Sequence, residues 1–246
     1  MNNHFTIAID TCNHKDWIER CISTCVTQKY DNFDVILVDA ISDDNTFEIS
    51  QRLAEEHDNL EVFQNEVRIP QVANFLWLNE KAKPGSIVVS IDGDDWLKSN
   101  KVLQKLNDVY NSGEVWMTYG TYEEFPYRDV SSIYQPYPQE VIDNNSFREH
   151  RWLASHLRTW RKELLMKVDV KDFKREDGEW LDTTGDQAIM LPMLELSGNR
   201  SRHIAEVHYI WNASNETRDG AINENRQVEL SNYIRAKDKY TVLNEL

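Results

Sequence analysis

The sequence predicts an α/β fold, in which helices flank a mostly parallel central sheet in a single domain spanning residues 1–246. Short apolar runs alternate with segments of helical periodicity along the first hundred residues. Apolar runs without polar alternation are typical of parallel strands that are buried on both faces. Hydrophobic residues make up 40% of the chain, while Gly and Pro number only 8 and 6. This composition supports a sizeable core and excludes collagen-like and low-complexity chains.

The first half of the chain predicts strands and helices in alternation. Apolar runs at 5–10 and 33–39 predict strands, and between them Ile18, Ile22 and Val26 recur at the spacing of one helix face. The same criteria predict helices at 45–57, 72–78 and 100–111 and strands at 60–64, 86–92 and 115–122.

Beyond residue 122 the pattern becomes looser. Segment 123–146 is rich in Pro and Tyr and predicts an irregular excursion over the surface. A helix at 186–196 and a strand at 203–211 follow. The charged helix expected at 223–245 is either a dimer arm or a lid over the sheet.

The charge of the chain excludes several classes of partner. Lys and Arg number 27 against 42 Asp and Glu, which gives a formal net charge of −15. Nucleic-acid and anionic membrane surfaces require positive charge, so neither is an expected partner. No apolar run approaches the roughly 18 residues of a membrane helix, and the first residues lack a signal-peptide pattern. We therefore expect a soluble, cytoplasmic protein with no membrane span, whose cysteines Cys12, Cys21 and Cys25 are reduced core thiols.

Three of the most apolar predicted strands end in aspartate, at Asp10, Asp39 and Asp92. The carboxyl ends of parallel strands share one sheet edge, which is where open α/β sheets bind ligands. The alternative is that each Asp only caps the turn that follows it. The run Asp92-Gly93-Asp94-Asp95 favours a site for a hard cation, with Mg²⁺ or Mn²⁺ the natural candidates.

Phosphate-binding motifs are absent from the sequence. There is no G-x-x-x-x-G-K-[ST], and the turn at 11–14 has no glycine to approach a pyrophosphate. A P-loop NTPase or an NAD enzyme is therefore not expected.

Residues 5–97 resemble the nucleotide-sugar-binding half of family 2 glycosyltransferases, which have the Rossmann-like GT-A fold. The matching pieces are an opening strand that leads to Asn13, a helix that ends near Gln28-Lys29-Tyr30, the segment VILVDAISDDNT, and IDGDDWL as the D-x-D element. The later segments TTGDQAIMLPMLELSG and HIAEVHYIWN resemble the acidic catalytic helix and closing strand of the family. The resemblance divides the chain into a nucleotide-sugar half (1–98), an acceptor and catalytic half (99–222) and a C-terminal helix (223–246).

The resemblance implies a role for each matching position. Asp92 would face the ribose, and Asp94 would hold a metal that bridges the two phosphates, with Asp95 helping from the next position. Asp186 would be the general base of an inverting transfer to an acceptor hydroxyl. The residues implied at the nucleotide-sugar site are Thr11, Asn13, Asp39, Arg68, Asp92, Gly93, Asp94 and Asp95.

Further candidates come from single segments. The resemblance implies that the basic segment 148–162 lies at the mouth of the site, with Arg158 and Trp160 at the donor and His156 at the acceptor. The alternative is an ordinary solvated basic face. His208 is a candidate metal ligand, although a lone His in an apolar strand is more often a core residue. Trp180 and Asp182 are acceptor candidates, and for Asp182 we favour a helix cap.

The sequence thus predicts a metal-dependent, inverting glycosyltransferase that moves one sugar from a UDP- or GDP-linked donor to a glycan or glycoconjugate. A nucleotide-sugar or carbohydrate-binding module without turnover is one alternative. An Mg²⁺-dependent phosphotransfer domain is the other, but it requires a Lys at a later strand end, and we cannot place one.

Overall fold

The computed structural model describes residues 1–215 and 224–246. The strands of its sheet are β1 (Phe5–Thr11), β2 (Phe33–Asp39), β3 (Leu60–Gln64), β4 (Ile87–Asp92), β5 (Trp96–Leu97), β6 (Met117–Phe125), β7 (Ser155–Arg161) and β8 (Ser201–Asn212). The α-helices within these ranges are α1 (Ile18–Val26), α2 (Thr46–Glu56), α3 (Gln71–Lys81), α4 (Val102–Asn111), α5 (Gln139–Asp143), α6 (Lys162–Leu165), α7 (Gly185–Ser197) and α8 (Glu224–Arg235). Short 3₁₀ turns lie at Val170–Phe173 and Gly198–Arg200.

The strands form one mixed sheet in the order β3-β2-β1-β4-β7-β6-β8-β5. The pairs β1–β2, β1–β4, β2–β3 and β6–β8 are parallel, whereas β7 runs antiparallel to β4 and β6, and β5 runs antiparallel to β8. The α/β prediction, with its flanked and mostly parallel sheet, is confirmed.

Two apolar clusters cover the two faces of the sheet. Side chains alternate between the faces of a strand, so in β1 Ala8 joins one cluster while Ile7 and Ile9 join the other. The cluster on the Ala8 side includes α3 and α7, and the other includes α1 and α4. Residues 188–197 of α7 are all buried, which is expected of a helix that is apolar on every side. None of the described helices is long and apolar enough to cross a membrane.

The structure differs from the predicted elements in the second half of the chain. The basic segment contains the strand β7, in which the buried Leu157, Thr159 and Trp160 outweigh the charged positions. The final helix was predicted to reach residue 245 but ends at Arg235. Residue 223, where that helix was predicted to begin, lies outside the described residues.

Candidate functional site

A cleft of about 1080 Å³ opens at the carboxyl edge of the parallel strands. Asp10 at the end of β1 and Asp92 at the end of β4 lie in register and both line it. The starts of α3 and α7 form one side of the cleft, and α8 forms its outer wall. This is the sheet edge at which the strand-end aspartates predicted a ligand site.

Asp92, Asp95 and His156 converge beside this edge. One ligand atom from each lies within 4.8 Å of the other two. His156 comes from β7, and its ring stacks on Tyr209 of β8 with 4.2 Å between centroids. Burial holds the pKa of His156 well below its ordinary value, so the neutral ring keeps a lone pair for a cation. Its Nδ1 is buried and has no hydrogen-bond partner among the described residues.

Neighbouring groups hold the two carboxylates of this cluster. The Tyr209 hydroxyl donates to Asp95 Oδ2, and the Asn212 backbone N–H donates to Asp95 Oδ1, each at 2.7 Å. Gln71 Nε2 donates to Asp92 Oδ1 at 3.0 Å. Burial, reinforced by the charges of Asp94 and Asp92, raises the pKa of Asp95 well above its ordinary value. A divalent cation would relieve this repulsion, and two carboxylates with a neutral imidazole are a donor set that Mn²⁺ accepts.

Gly93 is required by close packing within the acidic run. A Cβ built on Gly93 would lie 2.4 Å from Thr11 Oγ1, which is inside any allowed contact. The Thr11 hydroxyl is itself held at 3.1 Å from His14 Nδ1. The end of β1 therefore packs directly on the backbone between Asp92 and Asp94.

Asp10 is a buried carboxyl on the floor of the cleft. Asn74 Nδ2 donates to its Oδ1 at 2.6 Å, and Asn65 donates in turn to Asn74. Burial is the main reason that the pKa of Asp10 is raised to about 8, with the charge of Asp92 adding to it. Asn74 has a recognisable signal in the sequence, since it is a polar residue in the apolar helix segment QVANFLWL.

Asp186 lies in the first turn of α7 and lines the same cleft. Arg158 from β7 contacts Asp186 Oδ2 at 3.2 Å, and the backbone N–H of Gln187 donates to Oδ1. The side chain of Asp186 keeps 30% of its surface exposed, so it is held in place and still open to a ligand.

The Glycosyl transferase family 2 model matches residues 6–169 of this sequence. The chain belongs to this family. It is 22% identical over 165 residues to Glycosyltransferase GlyA of Streptococcus pneumoniae, a match that covers 65% of this chain and 23% of GlyA. It is also 28% identical over 118 residues to an uncharacterized glycosyltransferase of Haemophilus influenzae, covering 48% of this chain and 46% of that protein. The aligned segments thus span less than half the length of either relative.

Solved structures of similar fold include two with bound nucleotide sugars. Staphylococcus aureus TarS 1-349 in complex with UDP-GlcNAc shows a TM-score of 0.66 at 19% identity, covering 85% of this chain and 58% of that one. Mannosyltransferase PcManGT from Pyrobaculum calidifontis in complex with GDP-Man and Mn²⁺ shows a TM-score of 0.65 at 17% identity, covering 98% and 66%. At these identities the likeness establishes the fold, which confirms the expected GT-A architecture.

Of the residues expected at the nucleoside of this family 2 chain, some line the cleft and others are buried outside it. Asn13 and Arg68 line the cleft, and Arg68 lies 3.0 Å from the sulfur of Cys12, which lines it as well. Thr11 and Asp39 are fully buried and do not line it. Asp39 instead accepts from the Ser42 backbone N–H at 2.8 Å, as the capping alternative predicts.

The three cysteines are free thiols, as predicted. Cys21 and Cys25 are buried in the core, but the core assignment is wrong for Cys12, which is partly exposed in the cleft.

Two expected metal ligands lie outside the converging cluster. Asp94 lines the cleft and accepts from Asn215 at 2.7 Å, but it is not part of the cluster. His208 is buried in β8 and does not line the cleft. His156, expected at the acceptor, joins the cluster instead. The sequence pattern could not predict that His156 rather than His208 joins the cluster, because this depends on the insertion of β7 between β4 and β6 in the sheet.

The remaining aromatic and basic candidates are mostly structural. Trp160 is buried and donates to Asn79. Trp180 packs beside Lys174 and is not among the residues that line the cleft. The basic segment is not one solvated face, because Arg148 and Lys162 are buried.

Asp182 lines the cleft but does not cap α7, so the favoured interpretation of this residue is wrong. The capping position is Thr184, and Asp182 pairs with Arg226 of α8 at 3.3 Å. Sequence reasoning also missed Trp211 and the cleft-lining residues of α8, because nothing in their local pattern separates them from an ordinary surface.

Proposed function

We propose that this chain is an inverting glycosyltransferase that moves one sugar from a UDP- or GDP-linked donor to a hydroxyl of a glycan or glycoconjugate. The observation that carries the proposal is that the Asp92–Asp95–His156 cluster and Asp186 share one cleft. Family membership supports it, as do similarly folded structures with UDP-GlcNAc and with GDP-Man and Mn²⁺.

The proposed cofactor is Mn²⁺ or Mg²⁺. Asp92, Asp95 and His156 would hold the ion, with Asp94 beside them. When bound, the ion would supply Lewis-acid stabilisation of the charge on the departing nucleoside diphosphate. Of the metal ligands expected from the sequence, this proposal retains Asp92 and leaves Asp94 beside the ion. It replaces His208 with His156.

Asp186 is the proposed general base. Its carboxylate would take the proton of the acceptor hydroxyl as that oxygen attacks the sugar carbon from the side opposite the diphosphate, which inverts the configuration. The contact with Arg158 fixes the carboxylate orientation for this transfer. On the donor side, Asn13 and Arg68 would contact the nucleoside, and their place in the lining of the cleft supports this role.

Donor hydrolysis tests the proposal without knowledge of the acceptor. The protein is incubated with a panel of UDP- and GDP-sugars with Mn²⁺ or with chelator, and release of the nucleoside diphosphate is measured. Slow, metal-dependent release from one donor is the expected result. Tight binding of a donor without release, even with added acceptor glycans, would instead support the binding-module alternative.

The phosphotransfer alternative has less support from the site. The described residues that line the cleft include no lysine, which that chemistry would place near its nucleophilic Asp. If the same incubation transferred phosphate to the protein and released no sugar, the result would support the phosphotransfer alternative.

A further inference from the structure

One face of α8 forms the outer wall of the cleft. Glu224, Gln227, Val228 and Ser231 recur at the spacing of a single helix face and line the cleft, together with Asn232. Another stripe of the same helix places Leu230 and Ile234 in the core. Core packing therefore accounts for the second stripe but does not explain why polar residues face the cleft along the first.

This wall is fixed relative to Asp186. Ser231 Oγ donates to the side chain of Gln187, the residue next to Asp186, at 2.9 Å. The carbonyl of Ile234 accepts from the buried guanidinium of Arg148 at 2.6 Å. Because Ser231 and Gln187 both lie on helices, their contact preorganises the polar stripe beside the proposed base.

The charges on this side of the cleft are acidic. Asp182, Asp186 and Glu224 line it. Of the described cations nearby, Arg158 contacts Asp186 at 3.2 Å and Arg226 contacts Asp182 at 3.3 Å. A third, Arg235, donates to the backbone carbonyls of Arg148 and His150. An anionic acceptor would meet carboxylates whose neighbouring cations are already engaged, whereas hydroxyl groups pair well with amide side chains.

We infer that the acceptor is an uncharged, hydroxyl-rich molecule, such as a neutral sugar or polyol, that binds against the polar stripe of α8 through Gln227 and Asn232. The inference rests on the proposed function, because it places the acceptor beside Asp186. It adds the chemical class of the acceptor and the element that selects it.

The first test compares acceptors. Once hydrolysis has identified the donor, transfer is measured to neutral glycosides and polyols and to matched compounds that carry a carboxylate or a phosphate. The neutral acceptors should show a kcat/KM about tenfold or more above their anionic counterparts. Glu224→Lys should lower the ratio of the kcat/KM for neutral acceptors to that for anionic acceptors, because it places a cation on the α8 wall of the cleft.

The second test compares variants of α8. Gln227→Ala and Asn232→Ala should raise the acceptor KM about tenfold with a smaller change in kcat. Asn225→Ala is the matched control, since Asn225 is an exposed amide on the same helix that does not line the cleft. It should leave the acceptor KM unchanged.

The outcomes separate the inference from the proposed function. Donor hydrolysis with a preference for anionic acceptors, or with no transfer to any neutral one, overturns the inference alone. It is also overturned if the Gln227 and Asn232 variants behave like Asn225→Ala. Absence of hydrolysis for every donor overturns the proposed function, and the inference falls with it.

Discussion

At the scale of single residues, Gln71 is predicted to position Asp92 within the Asp92–Asp95–His156 cluster. Its amide donates to Asp92 Oδ1, while Asp92 Oδ2 lies 3.9 Å from His156 Nε2. Partners that orient metal ligands typically contribute about 10- to 100-fold in metal affinity. We predict that Gln71→Ala weakens Mn²⁺ binding by about tenfold, measured by titration of the metal without donor. Gln104→Ala on α4 is the control, and equal affinities in the two variants would contradict the prediction.

Asp186 is the residue predicted to accept the proton of the acceptor hydroxyl. General-base catalysis contributes about 10² to 10⁴ in rate, so Asp186→Asn should lower transfer by that range while nucleoside diphosphate affinity stays near that of the wild type. Steady-state transfer and calorimetric binding check the two parts. Turnover above about a tenth of the wild-type value would show that another group takes the proton.

The positions of site residues could be predicted where the residues are close together in the sequence. The sequence predicts Asp92, Asp94 and Asp95 at one strand end, and all three line the cleft. It does not predict that His156 reaches Asp92, because that contact depends on an inserted antiparallel strand. It also does not predict that Gly185 packs on α3, where an added Cβ would lie 3.3 Å from Val72.

At the scale of elements, a buried ion pair links α7, α8 and the C-terminal segment. Arg148 holds both oxygens of Glu195, which is fully buried and also accepts from the Tyr240 backbone N–H. Removing one partner of such a pair typically costs about 3–5 kcal/mol, because a buried charge loses its counterion. We therefore predict a loss of this size in the free energy of unfolding for Arg148→Met, measured by urea denaturation.

Arg151→Met is the control for that experiment, since Arg151 is an exposed arginine of the same segment. It should change the free energy of unfolding by less than about 0.5 kcal/mol. Equal effects of the two substitutions would show that the pair does not anchor the C-terminal segment.

Other contacts of the C-terminal segment explain why the end of the last helix was predicted wrongly. Lys237 donates to the backbone carbonyls of Lys171, Asp172 and Lys174, and the Tyr240 hydroxyl contacts Asp172. These tertiary contacts outweigh the helical pattern of the charged segment. Strands β1, β2 and β4 needed no such information, because their apolar runs are sufficient to predict them.

At the scale of the whole molecule, buried acids should make the metal-free protein less stable as the pH rises. The pKa of Asp10 is about 8 in the folded chain against an ordinary value of 3.8. Between these values the folded state holds a proton that the unfolded chain has released. The stabilisation is therefore complete below about pH 4 and is lost as the pH rises towards 8.

We predict that Asp10→Asn reduces this decline in the free energy of unfolding between pH 5 and pH 8. Urea titrations in the presence of chelator measure it, and wild-type protein is compared with the variant at each pH. Parallel pH profiles for the two proteins would show that Asp10 ionises normally in the folded state.

The most direct test of the metal-assisted donor site is a calorimetric titration of UDP and GDP with and without Mn²⁺. The comparison uses the wild type and the Asp92→Asn/Asp95→Asn double variant, after circular dichroism shows that both are folded. We predict that Mn²⁺ raises the affinity of the wild type for one of the two nucleotides by about tenfold or more, and that the double variant shows no such gain. Wild-type affinity that is the same with and without Mn²⁺, or a full gain in the double variant, would contradict the account.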